Sequence, residues 1–249
     1  MIIFLTLFIA HLIADFFLQR DAWIASKIKH KIKSIGLFKH ILVHLAFNAI
    51  LLLILLDGLS VTYFMALAAI VLSHYAIDIW KTYQVFSIRA FLIDQFAHAI
   101  ILVLVSVWLS GISYTQASAA IKDFLDIQVL AVFAAFIFLS KPLSFIIYLS
   151  LAPYTKAFEK DETQKGLANA GELIGILERY LVLILILVGQ YAGVGFLLAA
   201  KSVFRFGDMR QQKDRKLTEY IMLGTLLSIT AALLVGLAVK WVFSLEGNG

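Results

Sequence analysis

Four pairs of ionisable side chains recur at one spacing in the first hundred residues. They are His11 and Asp15 in "HLIAD", His40 and His44 in "HILVH", His74 and Asp78 in "HYAID", and Asp94 and His98 in "DQFAH". At a spacing of i, i+4 two side chains share one helix face, about 5–6 Å apart at Cβ. Only one histidine of the six, His30, lies outside these pairs. Imidazole nitrogens and carboxylate oxygens together are the ligand set of a divalent cation. Eight such groups exceed what one tetrahedral ion needs, so the count suits two ions. The chain has no cysteine. The mixed nitrogen and oxygen donors point to zinc, manganese or iron, with zinc the first expectation, and the absence of sulfur says little among these. Gln19, one turn beyond Asp15, and Asn48, one turn beyond His44, are placed to orient ligands by hydrogen bonds. Asp15 and Asp94 are the candidates for a general base.

These side chains lie in greasy surroundings. The 249 residues are 62% hydrophobic and 15% charged, with a mean hydropathy of +0.93. Soluble domains average about half apolar and a quarter charged, so the sequence is that of an all-α, multi-pass membrane protein. A span takes about 20 apolar residues. That length places helices at about 2–19, 38–57, 61–80, 91–110, 128–152, 168–189, 192–206 and 217–243, eight segments in all. Lys141-Pro142 interrupts the fifth, and "GQYAGVG" turns the sixth into the seventh. The first run reads as a retained span, because it lacks a basic leader and carries His11 and Asp15. The helices divide into a four-helix metal unit, residues 1–112, and a C-terminal set, 113–249, containing the 6/7 hairpin. The first unit itself looks like two copies of one hairpin.

Lysines and arginines collect on the cytoplasmic side of membrane proteins. With eight segments, all of them except Lys122, Lys141 and Lys240 fall in, or beside, loops on one side. Both termini are then outside, and the net charge of +5 implies no nucleic acid. All four pairs reach a similar depth in the cytoplasmic half. The first basic loop has Ile24, Ile28, Ile32 and Ile35 at helical spacing between lysines. Such a pattern suits a helix lying on an anionic membrane surface.

Farther along, Glu178 and Arg179 are neighbours and must find partners on different faces. Lys201 and Arg205 share a face and suit a phosphate head group. On "HLIADFFLQ", "HYAID", "DQFAH" and the C-terminal "GFLLAAKSVFRFGD…RKLTEYIMLGTLLS", the chain resembles domain-of-unknown-function family 3307, a group of bacterial inner-membrane proteins. That resemblance implies a location in the inner membrane and supplies no activity.

A carboxylate in hydrocarbon costs about 2.5–3.5 kcal/mol even on the lenient insertion scale. Ordinary snorkelling or mutual pairing is the bland account of any one pair, but a poor account of four. The expected function is an intramembrane metal-dependent hydrolase acting on a lipid or other amphiphile near the cytoplasmic face. The competing expectations are a divalent-cation transporter, a di-iron membrane oxidase or hydroxylase, and a structural metal in a subunit without catalysis.

Overall fold

The computed structural model describes residues 1–56, 58–111, 126–155, 170–206 and 212–246, without the side chains at 155, 203–206, 212–217 and 246. Every described element is helical. In chain order these are α1 (Ile2–Ile13), a π-helical turn (Ala14–Leu18), α2 (Asp21–His30), a 3-10 turn (Lys31–Lys33), α3 (Ile35–Leu55), α4 (Val61–Thr82) and α5 (Ile88–Ser110). There follow α6 (Ile127–Leu139), α7 (Lys141–Thr155), α8 (Ala170–Leu187), α9 (Tyr191–Phe206) and α10 (Gln212–Glu246).

Five stretches among the described residues are long and apolar enough to cross a membrane: Ile35–Leu55, Val61–Thr82, Ile88–Ser110, Ile127–Tyr154 and Thr218–Leu245. A sixth is formed if Ile2–Leu18 and Asp21–Lys33, bent by 89° at their junction, count as one broken span. Two of the eight expected segments are helices without meeting that standard. Glu172, Glu178 and Arg179 lie inside the 18 residues of α8, and α9 has only 16 residues.

The chain divides into two compact units, Met1–Ile137 and Phe138–Gly249. The boundary expected at 112/113 lies outside the described residues. In the first unit α1 packs on α3 and α5, and α4 packs on the same two helices, which closes a ring of four. Each helix turns one stripe inward at spacings of three and four. On α3 the stripe is Leu37, His40, His44, Asn48, Leu52 and Leu55; on α5 it is Phe91, Asp94, His98, Leu102, Val105 and Leu109. One stripe therefore changes character along its length. At one end Leu7, Leu52, Leu55, Ala66 and Leu109 fill the ring, none more than 1% exposed. At the other end the same helix faces carry the four pairs.

Local chemistry fixes where these helices begin. Ser34, Ser60 and Ser87 are N-caps, their hydroxyls accepting from the backbone N–H of Leu37, Tyr63 and Ala90 at 3.1, 3.1 and 3.3 Å. Such caps stabilise a helix by about 1 kcal/mol each. After α1 the chain widens into the π turn, leaves it at Gln19 in extended backbone (φ −73°, ψ 120°), and runs across the end of the ring as α2. Gly36 lets α2 approach α3, since a Cβ there would stand 2.6 Å from the Trp23 carbonyl oxygen.

In the second unit α8 packs on α7, α9 and α10. Gly236 of α10 admits Ile186 of α8, and a Cβ there would lie 2.7 Å from the isoleucine Cδ1. Small residues are the usual means of close helix packing in membranes. Glu178 and Arg179 do part company as their adjacency requires: Lys201 donates to Glu178, whereas Arg179 turns inward and is 3% exposed.

Candidate metal centre

The four pairs meet. His11, His40, His44, His74, Asp78, Asp94 and His98 are each at most 4% exposed, and the Asp15 side chain is 8% exposed. Helix periodicity explains the meeting, because each pair occupies two successive rungs of its helix's inward stripe. Asp15 stands on the π turn. A π turn holds one more residue than an α turn, which re-aims the side chains it carries, and such turns recur at functional sites.

Asp15 is the hub. Its Oδ1 lies 2.9 Å from His44 Nε2, 3.3 Å from His40 Nε2 and 3.7 Å from His74 Nε2. Its Oδ2 lies 3.7 Å from His11 Nε2. His40 Nε2 and His74 Nε2 are 3.1 Å apart. Two ligand atoms on a tetrahedral ion of this class, each about 2.1 Å from it, are about 3.4 Å from one another. The observed separations bracket that edge. Ligand atoms of His11, Asp15, His44 and His74 lie mutually within 4.8 Å, as do those of His40, His74 and Asp78 and those of Asp78, Asp94 and His98. The imidazoles also stack. Ring centroids of His44 and His74 are 3.6 Å apart, and those of His74 and His98 are 4.1 Å apart.

The donor set fits a metal on a second ground. His11 Nε2, His98 Nε2, His40 Nδ1, Asp94 Oδ1 and Asn48 Oδ1 are buried without a hydrogen-bond partner in the protein. A stranded buried polar atom costs about 1–3 kcal/mol, so such a concentration in one place calls for compensation by an ion or ordered water. Beside these atoms is a cavity of about 10 Å³, lined by His11, His44, Asn48, Ser73, His74 and His98 with Ile70, Ile101 and Leu102. That is room for one water-sized body.

The two expected orienting amides differ. Asn48 lines the cavity and its Nδ2 donates to the His44 carbonyl at 2.8 Å. Gln19 Nε2 is buried and makes no hydrogen bond. Lys201 is engaged by Glu178, and the Arg205 side chain lies outside the described residues.

Three residues that the pair motif does not contain complete the centre. Lys27 Nζ donates to Asp78 Oδ2 at 2.7 Å. Lys81 donates to Asp94 Oδ2. Gln95 Nε2 lies 3.0 Å from Asp94 Oδ2 and 3.4 Å from Asp15 Oδ2. Helical spacing carries a signal for Lys81, which follows Asp78 by three residues on the same face. Lys27 lies in the basic loop and its sequence neighbours give no such signal.

Residues 3–125 match the family described as "Protein of unknown function (DUF3307)", and over that stretch the chain belongs to this family. The match contains all eight residues of the four pairs and stops short of the C-terminal run that also carried the resemblance. No curated protein and no solved structure matches the chain.

Proposed function

We propose that this chain builds a divalent-metal centre for hydrolysis of an amphiphilic substrate at the cytoplasmic edge of the membrane. The observation that carries the reading is the gathering of five imidazoles and three carboxylates, from the four helices of the ring, into three buried groups that share His74 and Asp78. Zinc is the first choice of ion, with manganese and iron next, as the nitrogen and oxygen donors suggest. When bound, such an ion polarises a carbonyl or phosphoryl oxygen and makes water a nucleophile near neutral pH.

The chain's own groups divide the remaining work. Asp15 is placed to be a ligand, with four imidazole nitrogens within 3.7 Å. Asp94 is the better general base, for its Oδ1 has no hydrogen-bond partner and stands 3.5 Å from His98 Nε2. Asn48 steadies the His44 turn and borders the cavity in which a water would be held. Leu7, Leu52 and Leu55 exclude water from the far end of the ring.

The positive-side rule supports the finer topology of this proposal. Eight segments, α8 and α9 forming a short hairpin, put both termini outside a bacterial inner membrane and the centre in its cytoplasmic half. The substrate is then a lipid or a similar amphiphile that enters sideways with its head group at that level.

Transport of the cation is the second reading, favoured by the ring of two similar hairpins. The apolar plug at the far end of the ring weighs against it. One reconstitution separates the two. Protein in sealed liposomes carrying a metal-sensitive dye is tested for flux, and the same protein is incubated with labelled bacterial lipid extract. Hydrolysis predicts new lipid products, lost in Asp94→Asn, and no flux. Flux driven by the ion gradient without lipid products would replace the hydrolase by the transporter.

A further inference from the structure

We propose that Lys27 and Lys81 are built-in counter-cations of this centre, so that it takes one divalent ion, on Asp15, and not two. The inference rests on the metal reading above and goes beyond the ligand count, which by itself favours a pair of ions. Neither lysine belongs to the four pairs. Lys27 reaches in from α2, and its side chain is 9% exposed where it meets Asp78. Lys81 stands on α4, one turn beyond Asp78, and meets Asp94.

The carboxylates they hold are those a second ion would need. Away from Asp15, the ligand groups are His40, His74 and Asp78, and Asp78, Asp94 and His98. Asp78 belongs to both. Its Oδ2 accepts from Lys27, and Asp94 Oδ2 accepts from Lys81 and Gln95. Asp15 differs. Imidazoles and the Gln95 amide surround it, and among the described residues no ammonium group is bonded to it.

Charge balance decides between one ion and two. Three carboxylates against two ammonium groups leave one negative charge. One divalent ion turns that into a single positive charge, which a hydroxide or one anionic substrate oxygen cancels. Two divalent ions leave three positive charges, and uncompensated charge in a buried membrane site is what such a site tolerates least. The lysines thus do electrostatically what a second metal would do. His40, with Nε2 3.3 Å from Asp15 and 3.5 Å from Asp78, joins the ion's carboxylate to the lysine-held one.

Metal counting on the purified full-length protein tests this. Protein is loaded with zinc, exchanged against a weak chelator and analysed for zinc per chain. Wild type is expected to retain one ion, Asp15→Asn none, and Lys27→Met/Lys81→Met two, since Asp78 and Asp94 are then released. Should the double variant fail to fold, Lys27→Gln alone is expected to retain more than one ion. Two tightly held ions in wild type overturn the inference and leave the metal reading standing. One ion in both wild type and the folded double variant also overturns it, because the lysines then do not fill the second place. No zinc in folded wild type removes the metal reading itself.

Discussion

At the scale of single residues, the centre separates aspartates that look alike in sequence. Asp15 and Asp78 both close a His-x3-Asp pair, yet four imidazoles surround the first and Lys27 engages the second. Asp15→Ala is expected to abolish tight zinc binding, and Asp78→Ala to retain it, as read by metal analysis of folded protein. Equal loss in both would put Asp78 in the first rank of ligands. Arg179 makes a different residue-scale case. Its guanidinium donates to the Leu139 carbonyl at 2.5 Å, the Ser140 carbonyl at 3.3 Å, Ser144 Oγ at 2.6 Å and Ser228 Oγ at 3.2 Å. Leu139 ends α6 and Lys141-Pro142 starts α7, so the arginine ties together the carbonyls on either side of the break between the two helices. Arg179→Met removes these four hydrogen bonds, and any acceptor left unpaired costs about 1–3 kcal/mol. A lower thermal midpoint in detergent is the expected outcome, and an unchanged one would show that water or another donor replaces the guanidinium.

At the scale of elements, α2 decides whether Lys27 reaches the centre. Its inner side packs Trp23 against Gly36 of α3, where backbone meets backbone. Gly36→Ala puts a methyl group into that contact, and small-to-large changes in tight packing cost about 1–3 kcal/mol. The expected result is faster proteolysis within residues 20–34, with α2 displaced. Cleavage at the wild-type rate would mean that the two backbones can part without loosening α2. Ile24 and Ile28 on α2, Ile32 in the turn after it and Ile35 at the start of α3 are from 38% to 69% exposed, with Lys29 and Lys33 nearby. An apolar stripe between lysines suits a helix seated in an anionic interface. The native chain has no cysteine, so a spin label at Ile28→Cys is unique. Collision with oxygen rather than with an aqueous reagent is expected at position 28, and the reverse at Lys29→Cys. Aqueous exposure of both would place α2 off the membrane.

At the scale of the whole molecule, the five to six apolar spans among the described residues make this a multi-pass membrane protein. Orientation depends on whether α8 and α9 form a hairpin within the membrane. If they do, the basic stretch 201–216 is cytoplasmic and the C-terminus is outside, as the charge asymmetry favours. A phosphatase reporter fused after Gly249 should then be active and a cytoplasmic-only reporter silent. The opposite pattern would remove the hairpin and reverse the C-terminal half.

Periodicity alone determined much. Hydropathy runs located the helices, because a membrane span needs a long uninterrupted apolar stretch. The i, i+4 pairs named eight residues of the centre, because that spacing places both side chains on one face before any partner helix is known. Adjacency likewise required Glu178 and Arg179 to part. Tertiary structure decided what depends on a second element. It closed four helices into a ring, made Asp15 the hub through a π turn that hydropathy does not signal, and bent the chain by 89° after it. It brought Lys27 to Asp78, across 51 positions of sequence, from a loop that charge alone would leave in water. Local spacing records which side chains share a face; which faces meet is set by packing between elements far apart in the chain, and there the lysines found their carboxylates.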